Sequence, residues 1–176
     1  MTDNESNIKQ LIQEYLLDEG LLRNKLPPDD GKIDFGFQFI FPPGPIAQKM
    51  VVIKPKNKDL IIISNPMQIA PQQVEALNAL KDNRKFYFFV DIRKFFLAKD
   101  VFFRIDTQNF RYEISDQIFL KRDGTISKNS FFKSIRKVFT CAAYSNMILS
   151  EYCSGKAKIE DIENSKEFTS DFSLYS

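Results

Sequence analysis

Phenylalanine stands at every second position from Phe35 to Phe41, with Gly36, Gln38 and Ile40 between. Side chains alternate across a β-strand, so this spacing puts four rings on one face; on a helix the same residues would scatter around the axis. A strand of this kind needs a second layer to cover its rings. The four belong to a set of 18 Phe in 176 residues, beside no Trp and no His. A chain this long buries roughly two thirds of its unfolded surface, so a core built on those rings needs no metal or disulfide staple. The missing His removes the commonest general base and the commonest metal ligand together.

The remaining periodicities place the other elements. Ile8, Leu11, Ile12, Tyr15 and Leu16 follow helical spacing over residues 6–19, and Gly20 with Leu21 supplies the end of a Schellman motif. Residues 23–33 read as a polar loop. The Phe strand ends at Pro42-Pro43-Gly44-Pro45, and further strands are expected over 48–54 and 60–64. Pro71 opens a helical stretch that runs to Lys99 with a break at Asp82-Asn83, as one kinked helix or as two. Its apolar side is expected to hold Phe86, Phe89, Val90, Phe96 and Leu97. Strands follow at 101–106 and 110–121, the second bulged near Ser115-Asp116, then a turn at Asp123-Gly124. A last helix capped by Ser127 carries Phe132, Ile135, Phe139, Ala142 and Ala143 on its apolar side and stops at Gly155. The order α-β-β-β-α-β-β-α specifies an α+β domain over residues 1–155, a five-stranded, mostly antiparallel sheet with helices packed on it. Residues 156–176 read as a mobile acidic tail, with five acids against three bases.

Net charge is +2, too small to name a partner. Cys141 and Cys153 lie twelve positions apart in one helix, about 18 Å along its axis, so they read as reduced, packed thiols of a cytoplasmic protein. A polar, acidic N-terminus argues against a signal peptide, and no apolar run approaches a membrane span.

Candidate chemistry is sparse. No glycine-rich phosphate loop occurs. Asp29, Asp30 and Asp34 lack the spacing of a calcium loop and read as a solvated acidic segment. Cys141, between apolar neighbours, reads as inert core. Arg93, near Asp91 on an apolar helix, is read as an edge residue with its head in water, the sharper alternative being an anion anchor. No catalytic residue, cofactor or metal site is assigned. Lys49, Lys54, Lys56 and Lys58 cluster around the second and third strands, and Lys133, Arg136 and Lys137 share a helix face. These lysines offer a contact for nucleic acid or another anionic ligand, although no nucleic-acid motif accompanies them. Ile40, Phe102, Phe110 and Tyr112 exceed what one helix layer needs to cover. In the tail, Phe168, Phe172, Leu174 and Tyr175 could fold onto a partner.

The element order resembles the type III secretion chaperone-like fold, shared by the enterobacterial YbjN-type proteins. Finer details resemble an archaeal family, domain of unknown function 2299: Asp18-Glu19-Gly20 after the first helix, the Phe35–Phe41 strand closed by Pro42-Pro43, and Val52-Ile53-Lys54-Pro55. Further along, the Pro71 helix, Ala98-Lys99-Asp100-Val101-Phe102-Phe103, the Asp123-Gly124 turn and the Phe132–Phe139 stretch also fit. The resemblance covers residues 8–152 and carries no catalytic signature. That family has no established activity, so the match implies a fold and an archaeal, cytosolic setting, and the chaperone-like fold implies protein binding and often homodimerisation. The leading expectation is therefore a chaperone- or adaptor-like protein-binding module; the alternative is an anion binder that uses the lysine-rich hairpin.

Overall fold

The computed structural model describes residues 2–27, 31–81 and 83–155. Among them are helices α1 (Thr2–Asp18), α2 (Pro71–Ala79), α3 (Arg84–Ala98) and α4 (Lys128–Cys153). The strands are β1 (Leu22–Lys25), β2 (Ile33–Phe41), β3 (Gln48–Pro55), β4 (Leu60–Gln68), β5 (Phe102–Asp106) and β6 (Arg111–Phe119). They form one antiparallel sheet in the order β1-β2-β3-β4-β6-β5.

The sheet therefore has six strands and not five. The additional one, β1, lies in the segment expected to be a loop. It is four residues long and carries one apolar side chain, and its register on β2 slips between Leu22 and Asn24. A short, bulged, polar edge strand has no alternation to read. The bulge expected in the last strand is absent: β6 keeps an unbroken register with β4 from Leu60↔Phe119 to Gln68↔Arg111.

Register decides which side chains share a face. Phe37 pairs with Val52, Val52 with Ile63, Ile63 with Asp116, and Phe103 with Ile114. Phe35, Phe37, Phe39, Met50, Val52, Ile61, Ile63, Tyr112 and Ile114 consequently point to one side, and all are buried. Helices cover that side. Phe96 of α3 lies 5.6 Å from Phe103 and 6.1 Å from Tyr112, and Phe139 of α4 meets Phe41 edge-on at 5.4 Å. Tyr15 of α1 packs on Phe131 of α4 at 5.9 Å and donates to the Ile126 carbonyl, which fixes α1 beside α4.

The chain punctuation matches its residues. Gly20 adopts φ +66°, and the Leu21 and Gly20 amides donate to the Leu16 and Leu17 carbonyls, closing a Schellman motif over buried Leu21. The 71–99 stretch is two helices, parted at Asn83, which takes φ +58°. The break turns α3 from the expected orientation. Phe88, Phe89, Ile92 and Phe96 are buried, whereas Phe86 and Leu97 are 63% and 65% exposed. In α4 the buried stripe is Phe131, Ile135, Val138, Ala142 and Leu149, and Phe132 and Phe139 pack at its rim. Cys141 and Cys153 are unpaired on the intact α4, and no described helix is long and apolar enough to cross a membrane.

Two of the polar links in the helix layer run through Tyr112 and Tyr152. The Ser145 hydroxyl donates to the Ala142 carbonyl at 2.8 Å, which leaves its oxygen to accept from the buried Tyr112 hydroxyl at 2.9 Å. Ser145→Ala strands that phenol in an apolar site. The expected cost is about 1–3 kcal/mol in urea unfolding, with most of it recovered in Ser145→Ala/Tyr112→Phe. The other link runs from Tyr152 of α4 to Asp91 of α3 at 2.6 Å.

Burial pushes Tyr112 above its ordinary value of 10.0 and Cys141 above 9.0; burial, then the Asp91 carboxylate, pushes Tyr152 up as well. Each group holds its proton more tightly folded than unfolded. Its contribution is complete below the unfolded value and is lost as pH rises toward the raised folded value. Urea-unfolding stability should therefore hold up to about pH 9 and fall above it, less steeply in Tyr112→Phe.

Candidate functional site

The residues between those that face the helices form the other side of the sheet, which no described element covers as a layer. Two rows cross it. Gly36, Ile53, Ile62 and Gln117 stand side by side on β2, β3, β4 and β6, and next to them run Gln38, Val51, Ser64, Ser115 and Phe102, the last on β5. Neither row holds a charge. Phe119, opposite Leu60, extends the apolar surface, and Phe102 and Phe119 are 56% and 71% exposed.

Gly36 shows how one corner of this face is closed. A Cβ there would lie 2.8 Å from Leu26 Cδ1 and 3.2 Å from Ile53 Cγ2. The missing side chain lets the segment after β1 lay Leu26 beside Ile53, held by the Leu26 amide on the Gly36 carbonyl at 2.9 Å.

Charge is confined to one end. Arg104 stands opposite Glu113, and Asp106 opposite Arg111, so cation and anion alternate like a checkerboard. Arg111 Nε donates to Asp106 at 3.1 Å, and Asn109 donates to the same carboxylate through backbone and side chain. The Asn109 bonds, then Arg111, hold Asp106 below the usual carboxylate range. Arg104, Asp106, Arg111 and Glu113, with Pro66, Gln68, Thr107 and Gln108, line a cleft of about 710 Å³. Its charges balance, so it selects no single sign of ligand.

The structure divides the lysines read from the sequence. Lys49 is exposed at the charged end of the uncovered face, and Lys56 and Lys58 are exposed at the β3–β4 turn. Lys54 lies on the helix-facing side, opposite Phe35, only 5% exposed; its ammonium donates to Asp34 at 3.0 Å and to the Pro55 carbonyl at 3.3 Å. Strand alternation separates Lys49 from Lys54, and Asp34, one of the acidic candidates, is engaged with Lys54. Lys133 and Arg136 are exposed, while Lys137 reaches Asp116 at 3.2 Å. Ser134 also donates to Asp116 at 2.7 Å, so this half-buried carboxylate on the helix-facing side is held by two groups of α4. Arg93 is exposed. Ile40 and Phe102 stand on the uncovered face, whereas Tyr112 is buried and Phe110 packs on Phe89 at 6.3 Å. Asp29, Asp30, and Phe168, Phe172 and Tyr175 of the tail lie outside the described residues.

No local pattern signals the burial of Lys54, because its partner is 20 positions away and on the neighbouring strand. Asp34→Ala leaves the ammonium in the core without a counter-charge and should cost about 3 kcal/mol or more in denaturant unfolding. Lys49→Ala should stay within about 0.5 kcal/mol of the parent.

Known proteins supply a family and a fold. Residues 8–149 match the family described as uncharacterized conserved protein, DUF2299. No curated protein matches the sequence. Among solved structures, the chain is similar to an uncharacterized protein from Methanothermobacter thermautotrophicus, with 23% identity and a TM-score of 0.71. The similarity covers 81% of this chain and 96% of the other, and at that identity it speaks for the fold alone. With the family model spanning most of its length, from the first helix into the last, this chain belongs to the DUF2299 family.

Proposed function

We propose that this protein is a non-enzymatic, adaptor- or chaperone-like protein-binding module that binds through the uncovered face of its sheet. One observation carries the reading. The sheet turns one side to the helices and leaves on the other two adjacent uncharged rows, flanked by Phe102 and Phe119 at 56% and 71% exposure. Stable monomers seldom leave large contiguous apolar patches to water, and interface cores are depleted in charge and enriched in aromatics. The secretion-chaperone-like arrangement and the cytosolic setting implied by the sequence resemblance fit this reading.

Several polar groups that could serve chemistry are engaged in structural pairs. Ser134 and Lys137 are tied to Asp116, and Lys54 to Asp34. Burial raises the Cys141 thiol, which disfavours the reactive thiolate. The anion-binding alternative keeps Lys49, Lys56 and Lys58 but loses Lys54, so its surface is thinner than the sequence suggested.

Photo-crosslinking tests the assignment. Benzoylphenylalanine at position 102 should give protein adducts that disappear when Ile62→Lys is added. The same probe at Met147, exposed on the outer side of α4, should give background only. Equal adducts from both positions, or none from position 102, would contradict the assignment.

A further inference from the structure

Resting on that reading, we propose that the occupant of the uncovered face is a second copy of this chain, stacked sheet on sheet about a two-fold axis. The axis runs parallel to the strands, between β3 and β4.

Stacking a face on its own copy requires the surface to complement itself. An axis in this position exchanges β3 with β4 and β2 with β6, while each residue keeps its level along the strands. Ile53 and Ile62 share a level, so Ile53 of one copy lands on Ile62 of the other, and the reverse. Val51 and Ser64, also level, exchange in the same way. The two central rows therefore meet without bringing any charge into the contact.

The charged end matches as well. Continuing the Val51↔Ser64 register by two residues puts Lys49 level with Pro66, whose neighbour on β6 is Glu113. The axis carries Lys49 of one copy over Pro66 of the other, beside Glu113. Among the described residues of its own copy the Glu113 side chain makes no ion pair or hydrogen bond, although Arg104 stands opposite. Its carboxylate is free to take a cation from the partner.

The area suffices. Strand spacing of about 4.8 Å and a rise of about 3.3 Å per residue give six strands a face of roughly 550 Å² over seven residues. Two copies together cover about 1,100 Å², just above the ~1,000 Å² floor of a biological interface and in the range of weaker, reversible ones. Aligned packing of two twisted sheets, about 10 Å apart, is an established way to fill such a space.

Sedimentation equilibrium of the full chain decides the matter. At tens of micromolar, the parent should run at twice 20.5 kDa. Glu113→Lys should weaken association by about tenfold or more through like charge against Lys49, and adding Lys49→Glu should restore it. Both positions are on the surface, so the far-ultraviolet circular dichroism spectrum should not change. Ile62→Lys should give the monomer mass. A parent that stays at 20.5 kDa overturns the second copy; position-102 crosslinks to a different protein would then still uphold the binding face. A dimer indifferent to Glu113→Lys and Ile62→Lys also overturns the proposal.

Discussion

The whole arrangement depends on one sheet having only one covered side. Phe37, Val52, Ile63 and Ile114 and their neighbours in register turn toward the helices and exclude water there. Because side chains alternate along the regular central strands, the same register that builds the core commits Ile53, Ile62, Val51 and Phe102 to the opposite side. The binding surface proposed here is the other half of the pattern that folds the protein.

Polar groups on the helix-facing side obey the demands of that environment. Lys54 finds Asp34, Asp116 finds Ser134 and Lys137, Tyr112 finds Ser145, and Asn65 donates to Gln48 at 2.8 Å. Among the described residues no buried side-chain nitrogen or oxygen lacks a hydrogen-bond partner. Such pairing is the condition for placing polar atoms between a sheet and its helices. On the other side Ser64 is buried as well, at 2% exposure, while at the sheet's charged end Arg104 and Glu113 face each other with no ion pair among the described residues.

Much of this was legible in the sequence, for physical reasons that differ by element. The Phe35–Phe41 alternation, the Gly20 stop and the Ser127 cap are local signals; Ser127 Oγ does accept from the Ser130 amide at 3.1 Å. β1 was hidden because its pairing comes from β2 and not from its own residues. The buried side of α3 differs from the expected one because helical periodicity in a segment with eight apolar residues from Phe86 to Phe96 admits more than one stripe, and packing on Phe103 and Tyr112 selects among them. Lys54 looked like one member of a basic cluster because proximity along the chain conceals alternation across a strand. The uncovered face was legible only as a surplus of apolar residues such as Ile40 and Phe102; which of them share a surface is a property of register between strands.

The sharpest test is the behaviour of three consecutive isoleucines in β4. Isotope-filtered nuclear Overhauser spectra on a mixture of labelled and unlabelled chain separate contacts within a copy from contacts between copies. Ile61 and Ile63, both fully buried, should show contacts only within their own copy. Ile62 should show contacts to Ile53 of another copy. An Ile62 methyl with no intermolecular contact and free access to a soluble paramagnetic probe would contradict the account, as would intermolecular contacts from Ile61 or Ile63.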